Sequence, residues 1–322
     1  MDSSPTEARF TQLWPQGRII ATTGQLLSAG LTTRNLEVGV NAGLVYRMRR
    51  GVYIPMHEWQ GRKPWVQDKL VLSAHIVQSN SQHVYSHFSA ARLHRLHVWN
   101  SSPLIHISSP NNSSPSKTAS DVVMHAQEVR DEDIVERVIH GLGRVKFTTL
   151  ERTVLDCATV APFAQAVVIG DSALAAGLSL QELDKLLEGA LGRRGIRRAR
   201  QAIRSLSRSS ESAGETRTRL IVGELPIEQP EQQVWISTNN GSFRVDFMWR
   251  GIRLILEFDG DTKYFDYGDS PEQALIKERE RENALVEEGW RFIRVKWKHL
   301  EDPETLKVRI MRAYLSAAQA AA

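Results

Sequence analysis

The sequence predicts a mixed α/β protein with more than one domain. Its 322 residues fit about two domains of typical size, or three if one is small. Hydrophobic residues make up 41% and charged residues 24% of the chain, as in soluble globular proteins. Segments with helical spacing alternate with short apolar segments bounded by turn residues, which is the pattern of mixed α and β structure.

The composition also excludes several classes of protein. The single cysteine, Cys157, allows neither an intrachain disulfide nor a cysteine-based zinc site. No segment approaches the roughly 20 apolar residues that span a bilayer, and the polar N-terminus does not resemble a secretory signal. We therefore expect a cytoplasmic protein without a membrane partner, in which Cys157 is buried on an apolar helix face.

Residues 11–56 are predicted to form a winged helix-turn-helix. Thr22 or Thr23 can cap a first short helix, and Thr32 or Thr33 can cap a second one after a three-residue turn. A short hairpin that turns at residues 50–51 follows as the wing. If this domain binds DNA, the second helix enters the major groove and the wing holds phosphates. The alternative is a winged helix used for packing or for protein contacts. The candidate DNA contacts are Arg34, Asn35 and Asn41 on the helix and Arg47, Arg49 and Arg50 on the wing.

Residues 189–210 are predicted to form an arginine-rich linker helix. Seven arginines and no acidic residue lie in this stretch. Arginine is the side chain best suited to bidentate phosphate contacts, so the stretch favours nucleic acid as a partner. The alternative is a charged surface that only meets solvent. The candidate DNA contacts are Arg193, Arg194, Arg197 and Arg198.

Residues 57–188 are predicted to form an α+β middle domain. Nine of the ten histidines lie between His57 and His140. His83 and His87 could bind zinc from one helical face if residue 83 is already helical. No cysteine or obvious carboxylate ligand accompanies them, so a structural role for the histidines is the preferred interpretation.

Two apolar segments near the C-terminus are predicted to pair as a hairpin. Residues 243–249 and 252–259 have strand character, and residues 250–251 suit a two-residue turn. With that turn, Asp246 opposes Ile255, which fixes the faces of both strands. A three-residue turn would break this relation.

The predicted hairpin brings carboxylates together. Asp246, Glu257 and Asp259 then share one face near its open end. Carboxylates at this spacing repel one another and are costly to bury without partners, and a divalent cation removes both costs. Because oxygen atoms are the only ligands, the site favours Mg²⁺ or Mn²⁺ over Zn²⁺.

Two families resemble parts of this chain. Residues 15–205, through the motifs Arg-Arg-Gly-Val-Tyr at 49–53, Ser-His-Phe-Ser-Ala-Ala-Arg-Leu-His at 86–94 and Phe-Thr-Thr-Leu-Glu-Arg-Thr-Val-Leu-Asp at 147–156, are similar to AbiEi-type antitoxins of type IV toxin–antitoxin systems. In that family the motif at 86–94 is structural, and the proteins autoregulate their operons. The resemblance implies DNA as a partner and allows for a cognate toxin.

Residues 211–316 resemble a PD-(D/E)xK nuclease domain related to very-short-patch-repair endonucleases. The resemblance is carried by the order helix, strand, Asp-bearing strand, Glu-bearing strand and helix, by Asp259-Gly260, and by the segment 288–295. It implies a restriction-endonuclease-like α/β/α domain in which Asp246 and Glu257 bind the metal and Glu215 is the helix acid. The metal would activate water for phosphodiester hydrolysis.

The chain departs from the broad nuclease pattern at one position. Asp259 stands where the pattern has a lysine, so the cation that stabilises charge must come from elsewhere, with Lys263, Lys277 and Arg279 as candidates. Glu215 also has a structural alternative, because Ser212 and Glu215 have the spacing of a helix capping box.

Two functions from different classes follow. The first is a DNA-binding, Mg²⁺-dependent endonuclease in phage defence or DNA repair. The second is an AbiEi-like antitoxin or transcriptional repressor whose nuclease-like domain does not cut. A nuclease acting on RNA fits the same residues, and the sequence does not set the oligomeric state.

Overall fold

The chain is a mixed α/β protein, as the sequence predicts, and the part of it that the structure describes forms three separate sheets. The computed structural model describes residues 5–79, 83–110, 120–260 and 271–322. It divides into two compact units, one comprising residues up to Val160 with Leu180–Leu191, the other comprising Ala161–Ser179 and Gly192–Ala322. Within these described ranges no helix has the length and apolar character needed to cross a membrane.

The first unit begins with short helices and a three-stranded sheet. Thr22 and Thr32 cap α2 and α3, and each forms a capping box with the residue three positions later. The sheet has the order β1-β3-β2, with β2 and β3 antiparallel across the turn at 50–51, so the predicted hairpin is confirmed. The elements are α1 (Pro5–Leu13), β1 (Ala21–Thr22), α2 (Thr23–Ser28), α3 (Thr33–Asn41), β2 (Val45–Arg49) and β3 (Val52–Pro55).

The remainder of the first unit surrounds a five-stranded sheet of order β6-β5-β4-β8-β7. Its core contains Tyr85, Ile105, Ile107, Val145 and Phe147. The elements are α4 (Met56–Trp59), α5 (Pro64–Gln78), β4 (Val84–Tyr85), α6 (His87–Leu93), β5 (Ile105–Ser109), β6 (Val122–Ala126), β7 (Ile134–Ile139), β8 (Gly143–Thr148), α7 (Leu150–Val160) and α9 (Leu180–Gly189).

Helix α7 buries its apolar face, and Cys157 on that face is fully buried. Burial raises the pKa of its thiol well above the ordinary value, because a thiolate is poorly solvated there. The predicted burial of Cys157 is therefore confirmed.

The second unit contains a four-stranded sheet of order β12-β11-β10-β9 with helices on both faces. One apolar cluster joins Phe247, Leu256 and Phe258 to α11 and α14, and another joins Met248 and Ile255 to Leu285 of α12. Strand β12 is parallel to β11, and the other pairs are antiparallel. The elements are α8 (Phe163–Ala175), α10 (Ile196–Arg204), α11 (Ala213–Gly223), β9 (Glu231–Thr238), β10 (Gly241–Trp249), β11 (Leu254–Asp259), α12 (Pro271–Glu287), β12 (Arg291–Lys296), α13 (Trp297–Leu300) and α14 (Pro303–Ala321).

Candidate functional site

The turn between β10 and β11 differs from the predicted one. Trp249 pairs with Leu254, and a short 3₁₀ turn over Arg250–Ile252 with Arg253 in the left-handed region (φ 48°) connects them. The predicted two-residue turn is therefore wrong. Four residues connect the two strands instead of two, so the pairing register moves by two positions. Beyond the last observed pair, the next residues along the two strands are Asp246 and Glu257.

Asp246 lies at an irregularity in the sheet. Val245 and Met248 pack in the same apolar cluster although they are three positions apart, so the regular alternation of faces is interrupted between them. The Asp246 Oδ2 atom accepts a hydrogen bond from the Phe258 backbone N–H at 2.9 Å. The predicted proximity of Asp246 to the Glu257 segment is confirmed, although simple parity did not account for this interruption.

Glu257 is a buried carboxylate held by two arginines. It is only 2% exposed, and Arg281 from α12 contacts both of its oxygens. Arg294, its register partner on β12, approaches Glu257 Oε2 to 3.2 Å and donates to Asp259 Oδ1 at 2.9 Å. Burial raises the pKa of Glu257, the two arginines oppose this shift, and the charge of Asp246 adds to it.

The arginines at this site were not among the predicted residues. The predicted lysine Lys263 lies outside the described residues, and Lys277 and Arg279 are exposed on α12. Arg281 lies on α12, and its side chain turns inward to Glu257. Arg294 had a usable signal, since it lies between the apolar residues Ile293 and Val295 of β12, as Glu257 lies between apolar residues of β11.

Glu215 connects the start of α11 to strand β9. Ser212 caps this helix by accepting from the Glu215 N–H at 3.1 Å, so the capping role of Ser212 is confirmed. The buried Glu215 carboxylate accepts from Ser212 Oγ at 2.8 Å, from the Glu211 N–H at 2.9 Å and from Gln233 Nε2 at 2.9 Å. Glu215 is therefore hydrogen-bonded both to the residues that cap α11 and to strand β9.

Gln233 is a site residue that the sequence did not reveal. Its φ is 54°, and the ladder between β9 and β10 passes from the Val234–Val245 pair to the Gln232–Phe247 pair around it. A non-glycine residue in the left-handed region costs about 1–3 kcal/mol and persists only where the surrounding structure holds it. This break faces Asp246 on the neighbouring strand.

The oxygen atoms at this site are of the kind that bind a hard divalent cation. Asp246, Glu257 and Asp259 offer carboxylate oxygens, which Mg²⁺ and Mn²⁺ prefer. The repulsion between Asp246 and Glu257 is of the type that a cation relieves. In this structure Arg281 and Arg294 supply the positive charge at Glu257.

The predicted DNA contacts of the first unit differ in their surroundings. Arg34 and Asn41 are exposed on α3, and Arg47 and Arg50 are exposed on the hairpin. Asn35 instead closes the capping box, with Oδ1 accepting from the Thr32 N–H at 3.0 Å. Arg49 pairs with Asp121 and donates to Gln78 Oε1 at 2.7 Å, which gives it a structural role.

The arginine-rich stretch contains helix α10, which begins at Ile196. Ile196, Ala199, Ala202 and Ile203 form its buried face. The other face and the preceding turn carry the charge, with Arg193 half-buried and with Arg194, Arg197 and Arg198 exposed.

The histidines do not have the arrangement that the predicted zinc site would require. His83 and His87 do not share a helical face, because strand β4 lies between them and α6 begins at His87. His94 instead bonds to the Thr148 carbonyl oxygen at 2.8 Å. A different set, His87, His106 and His125, comes together on the sheet of the first unit. Burial, together with the charges of the neighbouring His125 and Arg92, lowers the pKa of His106 to about 3.

Comparisons with known proteins give partial matches. No protein-family model matches the sequence. Two proteins of Mycobacterium tuberculosis, described as uncharacterized protein MT2308 and uncharacterized protein Rv2248, are 29% identical over 133 residues, which is 41% of this chain and 47% of each relative. The chain therefore spans about half the length of the curated relatives it matches. The crystal structure of the RV2827C protein from Mycobacterium tuberculosis aligns with a TM-score of 0.40 at 17% identity, over 73% of this chain and 90% of that one.

Proposed function

We propose that this protein is a DNA-binding, Mg²⁺-dependent endonuclease acting in phage defence or DNA repair. The observation that carries the proposal is the buried Glu257 carboxylate beside Asp246, at a break in the sheet. At the same break, strand β9 is hydrogen-bonded to the helix acid Glu215. A carboxylate in an apolar strand needs a compensating charge. A concentration of such groups in one place is typical of a site with a chemical role.

The element order of the second unit supports a PD-(D/E)xK-like domain. Helix α11, the antiparallel strands β9, β10 and β11, helix α12 and the parallel strand β12 follow one another along the chain. This is the order by which residues 211–316 resemble the nucleases. In the proposal Asp246 and Glu257 hold the cation, Glu215 and Gln233 position the strand, and Arg281 takes the place of the missing lysine.

The cation would supply an activated water and neutralise charge that develops on the phosphate. Arg281 can contribute to the same neutralisation, because its guanidinium already lies against Glu257. Its contacts with Glu278 and the Arg244 carbonyl oxygen, at 2.9 and 3.1 Å, hold the side chain in place. The proposal assigns DNA binding to a winged helix-turn-helix formed by α2, α3 and the β2–β3 hairpin, and to the arginines around α10.

A specific observation favours the second candidate function. Both Glu257 oxygens are engaged by Arg281, and Arg294 approaches one of them, so the charge is balanced without a cation. An ion-pair network of this kind is compatible with an AbiEi-like antitoxin or repressor that binds DNA and does not cut it. A cognate toxin would be its protein partner.

The deciding experiment is a cleavage assay on supercoiled, linear and single-stranded DNA with Mg²⁺, Mn²⁺ or EDTA. We expect metal-dependent cutting that Asp246→Asn and Glu257→Gln each reduce by more than about 100-fold, beyond the effect usual for residues that only support a metal ligand. Glu231→Gln is the matched control, because Glu231 is an exposed carboxylate on β9 that pairs with Arg250. It should cut like the wild type.

The contrary result is equally informative. If no substrate is cut under any condition while gel-shift binding is retained by the wild type and by both site variants, the enzyme proposal is wrong. The repressor then becomes the better interpretation.

A further inference from the structure

Three histidines from separate elements meet on one face of the five-stranded sheet in the first unit. His106 lies on β5 and His125 on the parallel neighbour β6, where His125 pairs with Ser108. Since residues 106 and 108 point to the same face of their strand, the two histidines do so as well. The third member, His87, is the first residue of α6, and the N–H of Ser86 just before it donates to the His106 carbonyl oxygen at 3.1 Å.

The rings are close enough to share a ligand. His106 Nδ1 and His125 Nε2 are 2.9 Å apart, and the rings of His87 and His125 stack with 3.4 Å between their centroids. One ring nitrogen from each of the three histidines lies within 4.8 Å of the other two. A tetrahedral zinc ion with Zn–N bonds of about 2.0–2.1 Å places its ligand nitrogens about 3.3 Å apart, which matches this spacing. Because an imidazole nitrogen binds a metal in the plane of its ring, the stacked His87 and His125 rings must turn out of their parallel arrangement when the ion binds.

Outer hydrogen bonds orient the His87 ring as they do in metal sites. Ser86 Oγ bonds to His87 Nδ1 at 2.9 Å, and Ser108 Oγ donates to Ser86 Oγ at 2.8 Å. Ser89 Oγ accepts from the His106 N–H at 2.8 Å, which fixes the strand beneath the ring. Such outer hydrogen bonds set which nitrogen faces the metal and hold the imidazole in place. His87 also has a φ of 48°, a strained conformation for a non-glycine residue.

We propose that His87, His106 and His125 bind one divalent transition-metal ion of the zinc class. Imidazole nitrogen suits zinc, cobalt and nickel, whereas Mg²⁺ takes oxygen ligands, so this centre is chemically distinct from the carboxylate site of the second unit. His87 and His106 are almost fully buried and His125 is half-buried, so the centre lies at the edge of the core. Zinc takes four ligands, and three histidines leave one position for water or a small ligand.

The test measures metal binding directly by the full-length chain. Metal-free protein is titrated with Zn²⁺, and with Co²⁺ as a spectroscopic replacement, and bound metal is quantified after gel filtration. We expect one ion per chain, a tetrahedral Co²⁺ absorption spectrum and a raised unfolding temperature with Zn²⁺. His106→Gln and His125→Gln should each weaken binding by at least about tenfold. His83→Gln, a half-buried histidine outside the cluster, should bind like the wild type.

Replacing one metal-binding residue by another keeps the test independent of folding defects. His125→Cys retains a metal ligand, so the folded variant should still bind Co²⁺ and should gain a thiolate-to-cobalt charge-transfer band. The proposal is overturned if the folded wild type binds neither metal, or if His106→Gln and His125→Gln bind as well as the wild type. It is also overturned if His125→Cys binds Co²⁺ without that band. None of these readouts depends on DNA cleavage.

Discussion

At the scale of single residues, buried charge explains most of the candidate site. A carboxylate inside an apolar strand is costly without a partner, and this cost made Asp246 and Glu257 recognisable from the sequence. The partner Arg281 was not recognisable, because an arginine in a charged helix gives no indication of which way it points. Arg281 turns towards Glu257, whereas its neighbours Arg279 and Lys277 are exposed.

The buried residue His75 should make the stability of the protein depend on pH. Burial, with help from Arg49 and His83 and against the opposing charge of Asp121, lowers its pKa to about 4 from 6.5. The neutral ring is therefore favoured in the folded state, so its full contribution to stability is present above pH 6.5 and is lost as the pH falls towards 4. At pH 5 the expected loss is about 2 kcal/mol in the free energy of unfolding.

Urea unfolding at pH 7.5 and pH 5 measures this loss. His75→Asn keeps a polar partner for the Tyr85 hydroxyl, which lies 2.8 Å from His75 Nδ1, but cannot titrate. Its free energy of unfolding should fall by about 2 kcal/mol less between the two pH values than that of the wild type. His57→Asn, at an exposed histidine, should follow the wild type. Equal pH dependence in all three proteins would contradict the assignment to His75.

At the scale of secondary-structure elements, the connections were harder to predict than the helices and strands. Thr22 and Thr32 cap helices as expected, because capping depends only on neighbouring residues. The prediction for the turn between β10 and β11 was wrong, because the local sequence Arg250-Gly251 suits a two-residue turn. Tertiary packing instead places Ile252 against the core beside Trp249 and Leu254, which lengthens the connection.

The contact between α11 and β11 should require glycine at position 214. A Cβ atom there would lie 2.0 Å from Cε1 of the Phe258 ring. In an isolated helix Gly→Ala is favourable by about 1 kcal/mol, but here we expect Gly214→Ala to lower the free energy of unfolding by about 1–3 kcal/mol through overpacking. Because Glu215 is the next residue, the substitution should also impair any cleavage activity.

Gly223→Ala provides the matched control within the same helix. A Cβ atom at this position meets nothing closer than Gln229 Oε1 at 4.0 Å. We expect its free energy of unfolding to equal or slightly exceed that of the wild type. Chemical denaturation of the three proteins is sufficient, and a Gly214→Ala variant as stable as Gly223→Ala would contradict the close packing against Phe258.

At the scale of the whole molecule, the distribution of charge says more than its total. The net charge is only +4, but seven arginines without an acidic residue lie between positions 190 and 210. Helix α10 keeps its apolar residues on the buried face, so the arginines line the exposed one. Such a surface binds phosphates by releasing counterions, and the affinity falls as salt rises.

Replacing two of these arginines should reduce the salt dependence of DNA binding. Arg194 and Arg197 are exposed. In Arg194→Gln/Arg197→Gln we expect weaker binding to duplex DNA, with a slope of log affinity against log salt smaller by about 1 to 2, since each phosphate contact contributes about 0.9. Fluorescence anisotropy at several salt concentrations measures this slope.

The control variant removes the same number of positive charges from another part of the second unit. Arg309 and Arg312 are exposed on α14. Arg309→Gln/Arg312→Gln should retain a slope closer to that of the wild type. If both double variants reduce the slope equally, the effect follows total charge and the stretch around α10 is not a specific DNA-binding surface.

The sequence by itself determined the mixed α/β class, the β2–β3 hairpin, the helix caps, the burial of Cys157 and the two carboxylates Asp246 and Glu257. These features depend on local spacing, propensity and the cost of burying a charge, all of which can be read along the chain. The nuclease and antitoxin assignments and the predicted DNA contacts stay predictions.

Only the tertiary structure decided which distant residues meet. It brought Arg281 and Arg294 to Glu257, tied Gln233 to Glu215 and gathered His87, His106 and His125 on one sheet face. These groups are separated by up to 38 positions in the sequence, as between His87 and His125. The physical reason is that strand order, register and helix orientation are set by packing of the whole core, which no local pattern specifies.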